Sequence, residues 1–162
     1  DILQAKLKYI YLTHCHGDHI GALIELKDKK GGKILIHRID AEGLSNKNIS
    51  LTEYVGMEDI NLEPDSIVDD NDTIHIGDIE FSVIHTPGHT SGSCCYMIDD
   101  ILFTGDTLMT GSMGRTDFPT GNYNDILQSL KRLKNLDGNY RVYCGHGPAT
   151  MLEHERKTNP CM

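Results

Sequence analysis

Three histidines and an aspartate, side chains that commonly bind metals, lie within six residues, in the segment His14-Cys15-His16-Gly17-Asp18-His19. The preceding run, from Leu7 to Thr13, is largely apolar with branched and aromatic residues, which predicts a buried strand. Asp18 is placed to begin a helix that we expect to reach Lys30. Residues two apart in an extended segment point the same way, so His14 and His16 would face one centre. The fold must therefore leave this strand end open to a ligand.

The rest of the chain predicts a mixed α/β protein. Lys33 to His37 is the next predicted strand, and strand, helix and strand within about 30 residues favour a parallel crossover. The polar segment from Ser45 to Asp70 is expected to be a surface loop with short helical turns. The remaining pattern predicts two hairpins (72–76 with 79–85, and 94–98 with 101–104), a helix over 122–136, a strand over 140–144 and a short helix after 149.

Three further ligand-type residues each follow a predicted strand. His89 lies in the Pro-Gly turn after the strand ending at His85, Asp106 ends the segment Phe103-Thr-Gly-Asp, and His146 stands between two glycines. Loops held by a rigid sheet are where sites are usually built. Imidazole and carboxylate ligands suit zinc, iron or manganese. We expect His85 to lie in the core or behind the ligands, and treat three histidines as ordinary: His37, His75 and His154.

The composition limits what such a site could act on. The chain has 15 Lys and Arg against 24 Asp and Glu, a formal charge of −9, which disfavours nucleic acids and anionic membranes. Its five cysteines suit a reducing compartment, so we expect a cytoplasmic protein. We expect one domain over residues 1–162 and a small-molecule substrate, with neither a nucleic-acid nor a membrane partner.

The ligand pattern resembles the metallo-β-lactamase-fold hydrolase superfamily. Three segments are similar to its glyoxalase II-like (hydroxyacylglutathione hydrolase-like) branch: Thr86-Pro-Gly-His-Thr90, Phe103-Thr-Gly-Asp-Thr107 and Gly114-Arg-Thr-Asp117. The resemblance implies an αβ/βα sandwich with two divalent ions at one sheet edge, zinc being favoured over iron or manganese. It implies one metal on His14, His16 and His89, a second on Asp18, His19 and His146, and Asp106 bridging both.

The family also has strands before the one predicted at Leu7. Because those strands carry an aspartate that supports the metal loop, we expect an N-terminally incomplete sandwich that lacks this support. An exposed sheet edge favours pairing, so a homodimer in which a second copy completes the sheet is one expected consequence.

Two charged residues in the glycine-rich loop after Asp106 leave two interpretations open. Arg115 and Asp117 either form a salt link within the loop or support the metal ligands from behind.

The resemblance implies hydrolysis of a small thioester of the hydroxyacyl-thiol type. Two cations ~3.5–4 Å apart hold a bridging hydroxide and lower the pKa of water from 15.7 towards roughly 7, so no serine or cysteine nucleophile is needed. Asp18 and Asp106 are the catalytic candidates, the first to orient the hydroxide or pass a proton and the second to fix the metal spacing. The alternatives are an inactive truncated fragment and a persulfide dioxygenase with one iron on His14, His89 and Asp106. A β-lactamase and a nuclease are less favoured.

Overall fold

The predicted first strand and crossover form in the computed structural model, which describes residues 6–162. Strand β1 (Tyr9–Tyr11) pairs in parallel with β2 (Lys33–His37), and β2 pairs in parallel with β3 (Ser66–Val68). The sequence did not predict β3. It is a three-residue strand that follows Pro64 in a polar segment, and its pairing with Leu35 to His37 determines its conformation.

The prediction of a single helix from Asp18 to Lys30 is wrong, because the segment forms two helices. Helix α1 (Gly17–Ile20) and helix α2 (Leu23–Lys30) are separated at Gly21 and Ala22. Glycine is a poor helix former, and here it lets the Met57 side chain approach closely. The predicted helical turns beyond β2 are present as α3 (Lys47–Ser50) and two 3₁₀ segments, Arg38–Leu44 and Thr52–Val55.

Both predicted hairpins are confirmed in a second, six-stranded sheet. They are β4 (Thr73–Ile76) with β5 (Ile79–His85), and β6 (Cys94–Ile98) with β7 (Ile101–Gly105). Past the small hairpin of β8 (Leu108–Met109) and β9 (Ser112–Met113), the chain forms α4 (Tyr123–Lys134), β10 (Arg141–Cys144), β11 (Thr150–Met151) and α5 (Leu152–Thr158). The strand order of the large sheet is β11-β10-β7-β6-β5-β4, with β10 parallel to β7.

Three apolar clusters hold these elements in four layers, which confirms the predicted α/β class and its αβ/βα sandwich. Ile20 and Leu23 of α1 and α2 pack on one side of the small sheet, against Ile34 and Ile36. Residues from both sheets form the middle cluster: Leu35, Val68, Phe81, Val83, Cys94 and Tyr96. Residues of α4 and α5 cover the other side of the large sheet, including Leu130, Leu133 and Leu152.

Side-chain alternation along β6 shows how one strand contributes to two layers. Cys94 belongs to the middle cluster and its neighbour Cys95 to the cluster under α4, since successive residues of a strand face opposite ways. Both thiols are buried, and burial raises their pKa values to about 12. They are therefore inert core residues.

In the part of the chain that the structure describes, β1 and β3 are the two edge strands of the small sheet, and β2 lies between them. The expected missing strands would precede β1. An apolar groove of about 430 Å³ lies beside it, between the sheets, with Tyr9, Tyr11 and Phe81 in its wall. The homodimer expected at such an edge stays a prediction. Within residues 6–162, no helix combines the length and the apolar character needed to cross a membrane.

We expect Leu130→Ala to lower the free energy of unfolding by about 2–5 kcal/mol, because it leaves a cavity under α4. Leu127→Ala, on the half-buried side of the same helix, is the matched control and should cost clearly less. Urea unfolding followed by circular dichroism measures both. Equal losses would contradict the packing described for α4.

Candidate metal centre

The ends of four strands meet at one edge of the sandwich. Strands β5, β7 and β10 run in the same direction, because β5 and β7 are each antiparallel to β6 and β10 is parallel to β7. Their carboxyl ends therefore lie together, and they lead to His89, Asp106 and His146. The end of β1 reaches the same edge, since the Thr13 carbonyl accepts a 2.9 Å hydrogen bond from the backbone N–H of Cys94, the first residue of β6.

Three buried histidines form the first group of side chains. His14, His16 and His89 each offer a ring nitrogen within 4.8 Å of the others. His16 Nδ1 and His89 Nε2 are 2.9 Å apart. The Nδ1–H of His89 faces the Arg115 carbonyl at 2.8 Å, which leaves its Nε2 lone pair directed at the cluster. Thr13 Oγ1 lies 3.2 Å from Nδ1 of His14 and orients that ring similarly.

A second, more exposed group adjoins the first. Asp18, His19 and His146 offer ligand atoms within 4.8 Å of one another, and Asp18 Oδ2 lies 3.0 Å from His146 Nε2. The Asp106 carboxylate lies between the groups. Its Oδ1 is 3.3 Å from His19 Nε2, and its Oδ2 is 3.5 Å from the Nε2 atoms of both His89 and His146. The seven residues predicted as ligands are thus brought to one place.

The protonation of His14, His16 and Asp106 favours cation binding. Burial, with repulsion from neighbouring imidazoles, lowers the pKa of His14 well below its usual value. Burial and the nearby His89 lower the pKa of His16 to about 4, so both rings are neutral at pH 7. For His19 the carboxylates of Asp106 and Asp18 outweigh burial and raise its pKa. Burial raises the pKa of Asp106, but contacts with His19 and the other imidazoles outweigh it, so Asp106 is ionised.

Buried polar atoms without hydrogen-bond partners indicate what kind of ligand the cluster can bind. Among the described residues, four buried side-chain polar atoms have no hydrogen-bond partner, and three of them are here: His14 Nε2, His16 Nε2 and Asp106 Oδ1. Leaving such atoms unpaired costs free energy, about 1–3 kcal/mol each. Gly145 adds to the fit, because a Cβ there would lie 2.1 Å from Asp106 Oδ1. Neutral imidazoles and an ionised carboxylate are a donor set suited to divalent metal ions.

Arg115 and Asp117 form the salt link within the loop. Two 2.7 Å hydrogen bonds join the guanidinium to the carboxylate, both side chains are exposed, and Arg115 also lies over the Phe118 ring. Among the described residues, neither side chain forms a hydrogen bond or an ion pair with any of the seven predicted ligands. The backbone carbonyl of Arg115 is the group that contacts His89.

His85 lies outside the cluster. Its ring stacks on that of His37 with centroids 4.1 Å apart, and its Nε2 is 2.9 Å from the Ser91 carbonyl. Of the histidines treated as ordinary, His37 is buried, while His75 is exposed near Glu80.

The sequence analysis missed Asp40, a buried aspartate just beyond β2. Its carboxylate accepts hydrogen bonds from the backbone N–H of Cys15 and Gly92 and from the Thr90 hydroxyl. The metal loop therefore has carboxylate support from Asp40, while the expected loss of the support that the family's earlier strands carry stays a prediction. A signal was available, since β2 is parallel to β1 and a residue just past its end lies near the residues after β1.

An open cavity of about 550 Å³ gives access to the cluster. Asp18, Asp106 and His146 lie on its floor, and its walls are mostly apolar or aromatic: Leu51, Tyr54, Val55, Met109, Met113 and Phe118. This volume is typical of small-molecule sites.

Residues 1–146 match the sequence model of the metallo-beta-lactamase superfamily, so the chain belongs to that superfamily. The hydroxyacylglutathione hydrolase GloC of Haemophilus influenzae is 31% identical over 163 residues, which cover 98% of this chain and 77% of the relative. The crystal structure of the B3 metallo-beta-lactamase BLEG-1 has a TM-score of 0.90 at 32% identity, covering 97% of this chain and 78% of that one. The protein TTHA1623, in a di-iron-bound form, has a TM-score of 0.84 at 31% identity, covering 95% and 77%.

We expect zinc to raise the melting temperature of the wild-type chain, because a ligand that binds only the folded state at a hundredfold excess over Kd adds about 2.7 kcal/mol. His14→Ala and Asp106→Ala should largely abolish this rise, because each removes a side chain that would bind the metal. His75→Ala, at an exposed histidine on β4, should leave it unchanged. Thermal unfolding with and without zinc measures the shifts, and an equal rise in all variants would place the metal elsewhere.

Proposed function

We propose that the chain is a binuclear metallohydrolase acting on a small thioester of the hydroxyacyl-thiol type. The observation that carries this proposal is the position of the Asp106 carboxylate, within 3.5 Å of imidazoles from both groups. A single metal ion would leave some of the seven predicted ligands without a role. His14, His16 and His89 would hold the first ion, and Asp18, His19 and His146 the second.

Two divalent ions in these positions would supply Lewis acidity towards a carbonyl and a lowered pKa of a shared water. The chain's own residues supply the rest. Asp18 lines the cavity with its carboxylate half-exposed, so its oxygens are placed to take up a proton on the substrate side. Asp106 is buried and ionised, and its two oxygens hold imidazoles of both groups at fixed separations.

The lining of the cavity suits a small substrate that carries few charges. Its walls are mainly apolar, and Arg115, the one Lys or Arg among the described residues that line it, is paired with Asp117. A thioester is neutral at the reacting carbonyl and has an apolar sulfur, which suits this surface. The similarity to GloC, a hydroxyacylglutathione hydrolase, gives further support to a hydroxyacyl thioester.

Zinc is the metal we favour, because neutral imidazoles and carboxylates suit it. Iron is a serious competitor, since TTHA1623 was crystallised with two irons. We also propose a cytoplasmic location, because all five cysteines are free thiols.

The test is turnover of the metal-loaded chain on three substrates: a hydroxyacyl thioester, a chromogenic cephalosporin and a glutathione persulfide. We expect thiol release from the thioester, loss of this activity on chelation, and recovery with two equivalents of zinc, iron or manganese. β-Lactam opening without thiol release would favour a lactamase. Oxygen uptake with one iron per chain would favour the dioxygenase.

Asp106→Asn should lower thioester turnover by at least about a hundredfold, since a lost ligand should cost no less than lost support for one. Glu80→Gln, which alters an exposed carboxylate on β5, is the matched control and should retain full activity. Full activity in Asp106→Asn would contradict the binuclear proposal.

A further inference from the structure

We propose that Asp40 is a positioning residue that fixes the three histidines of the first group by joining the two chain segments that carry them. The proposal rests on the metal centre proposed above. It concerns a residue outside that centre, since Asp40 belongs to none of the three ligand groups found in the described residues.

The contacts of Asp40 divide between two segments that are distant in sequence. Oδ2 accepts a 3.1 Å hydrogen bond from the N–H of Cys15 and a 2.7 Å bond from the hydroxyl of Thr90. Oδ1 accepts a 2.7 Å bond from the N–H of Gly92. Asp40 itself is almost completely buried, so these donors replace all of its hydration.

Two of the three contacts, those of Cys15 and Thr90, lie directly next to a ligand-type residue, and Gly92 belongs to the same turn as Thr90. Cys15 stands between His14 and His16, so the direction of its N–H fixes the backbone from which both rings project. Thr90 follows His89 directly, and its hydroxyl also lies 2.7 Å from Ser93 Oγ, which holds the turn in shape. One carboxylate therefore sets the separation between His89 and the pair His14 and His16.

The backbone is shaped to admit this carboxylate. A Cβ at Gly92 would lie 2.4 Å from Asp40 Oδ1 and 2.5 Å from the Asp40 backbone nitrogen. Only glycine permits such an approach, so the 86–93 turn and the segment after β2 are in direct contact. A side chain at position 92 would therefore force the two segments apart.

Asn is the informative replacement because it is isosteric with Asp. With its oxygen in the place of Oδ2, it keeps the bonds from Cys15 and Thr90, but its NH₂ then faces the N–H of Gly92. With the amide reversed, it keeps the Gly92 bond, but its NH₂ then faces the N–H of Cys15, and the Thr90 hydroxyl must accept instead of donate. Either way the turn is displaced relative to β1.

The experiment measures metal affinity rather than turnover. Asp40→Asn and the wild-type chain are loaded with zinc, and metal per chain is followed against a competing chromophoric chelator. We expect one of the two ions to be released at a roughly ten- to hundredfold lower chelator concentration, and the other to be retained as in the wild type. Thr90→Val, which removes one contact, should shift the same ion in the same direction by less.

Glu155→Gln is the matched control. Glu155 is also a fully buried carboxylate with three donors, namely the N–H of Gly111, Thr150 Oγ1 and Asn159 Nδ2, but none of these is adjacent to a ligand-type residue. A purely structural role for Asp40 predicts that both variants lose stability and neither changes metal affinity. The positioning role predicts a loss of affinity in Asp40→Asn alone.

The outcomes separate this inference from the proposed function. If the wild type holds two ions and Asp40→Asn holds both equally tightly, the positioning role is overturned while the metal centre stands. If the wild type holds no metal, both are overturned. If Asp40→Asn does not fold, Thr90→Val decides, and unchanged affinity in that variant overturns the proposal.

Discussion

Burial of His14, His16 and Asp106, each with a polar atom that has no hydrogen-bond partner, is the constraint on which the rest of the structure depends. Polar groups withdrawn from water without partners destabilise a fold, so the chain must hold them by other means. Neighbouring hydroxyl, carbonyl and carboxylate groups hold these side chains in place. Thr13 orients His14, the Arg115 carbonyl orients His89, and Asp40 fixes the backbone on both sides.

The two sheets make this arrangement rigid. The backbone N–H of Cys94 donates to the Thr13 carbonyl, and the Tyr96 hydroxyl donates to the Leu12 carbonyl at 2.9 Å. Both bonds join the large sheet to the residues just after β1. Tyr11 packs edge-on against Phe81 and Tyr96, so the end of β1 is also fixed by aromatic contacts. The segment His14 to His19 therefore starts from a strand end that cannot shift without disturbing the core between the sheets.

The sequence predicted the ligand set and most strands because those signals are local. Histidines at spacing two after an apolar run, and hairpins at Gly-Asp or Asp-Asp, need no knowledge of distant contacts. Asp40 has its partners 25, 50 and 52 residues away, so the local pattern does not mark it as buried, and only the parallel pairing of β1 and β2 points to it. β3 forms because β2 offers it a free edge, and α1 and α2 separate at a glycine under Met57. These features depend on tertiary contacts, which periodicity does not report.

The two ligand groups differ in a way that follows from the fold. The first lies beneath the turn that Asp40 joins to β1, and all three of its histidines are buried. The second contains Asp18 and His146, whose side chains are 38% and 53% exposed on the cavity floor. A buried group with oriented rings is suited to hold an ion permanently, because few rearrangements are available to it. A group open to the cavity is suited to contact substrate, since its ligands can adjust when a carbonyl enters. Asp106 reaches both groups, so it is the residue through which the rigid half of the site constrains the open half.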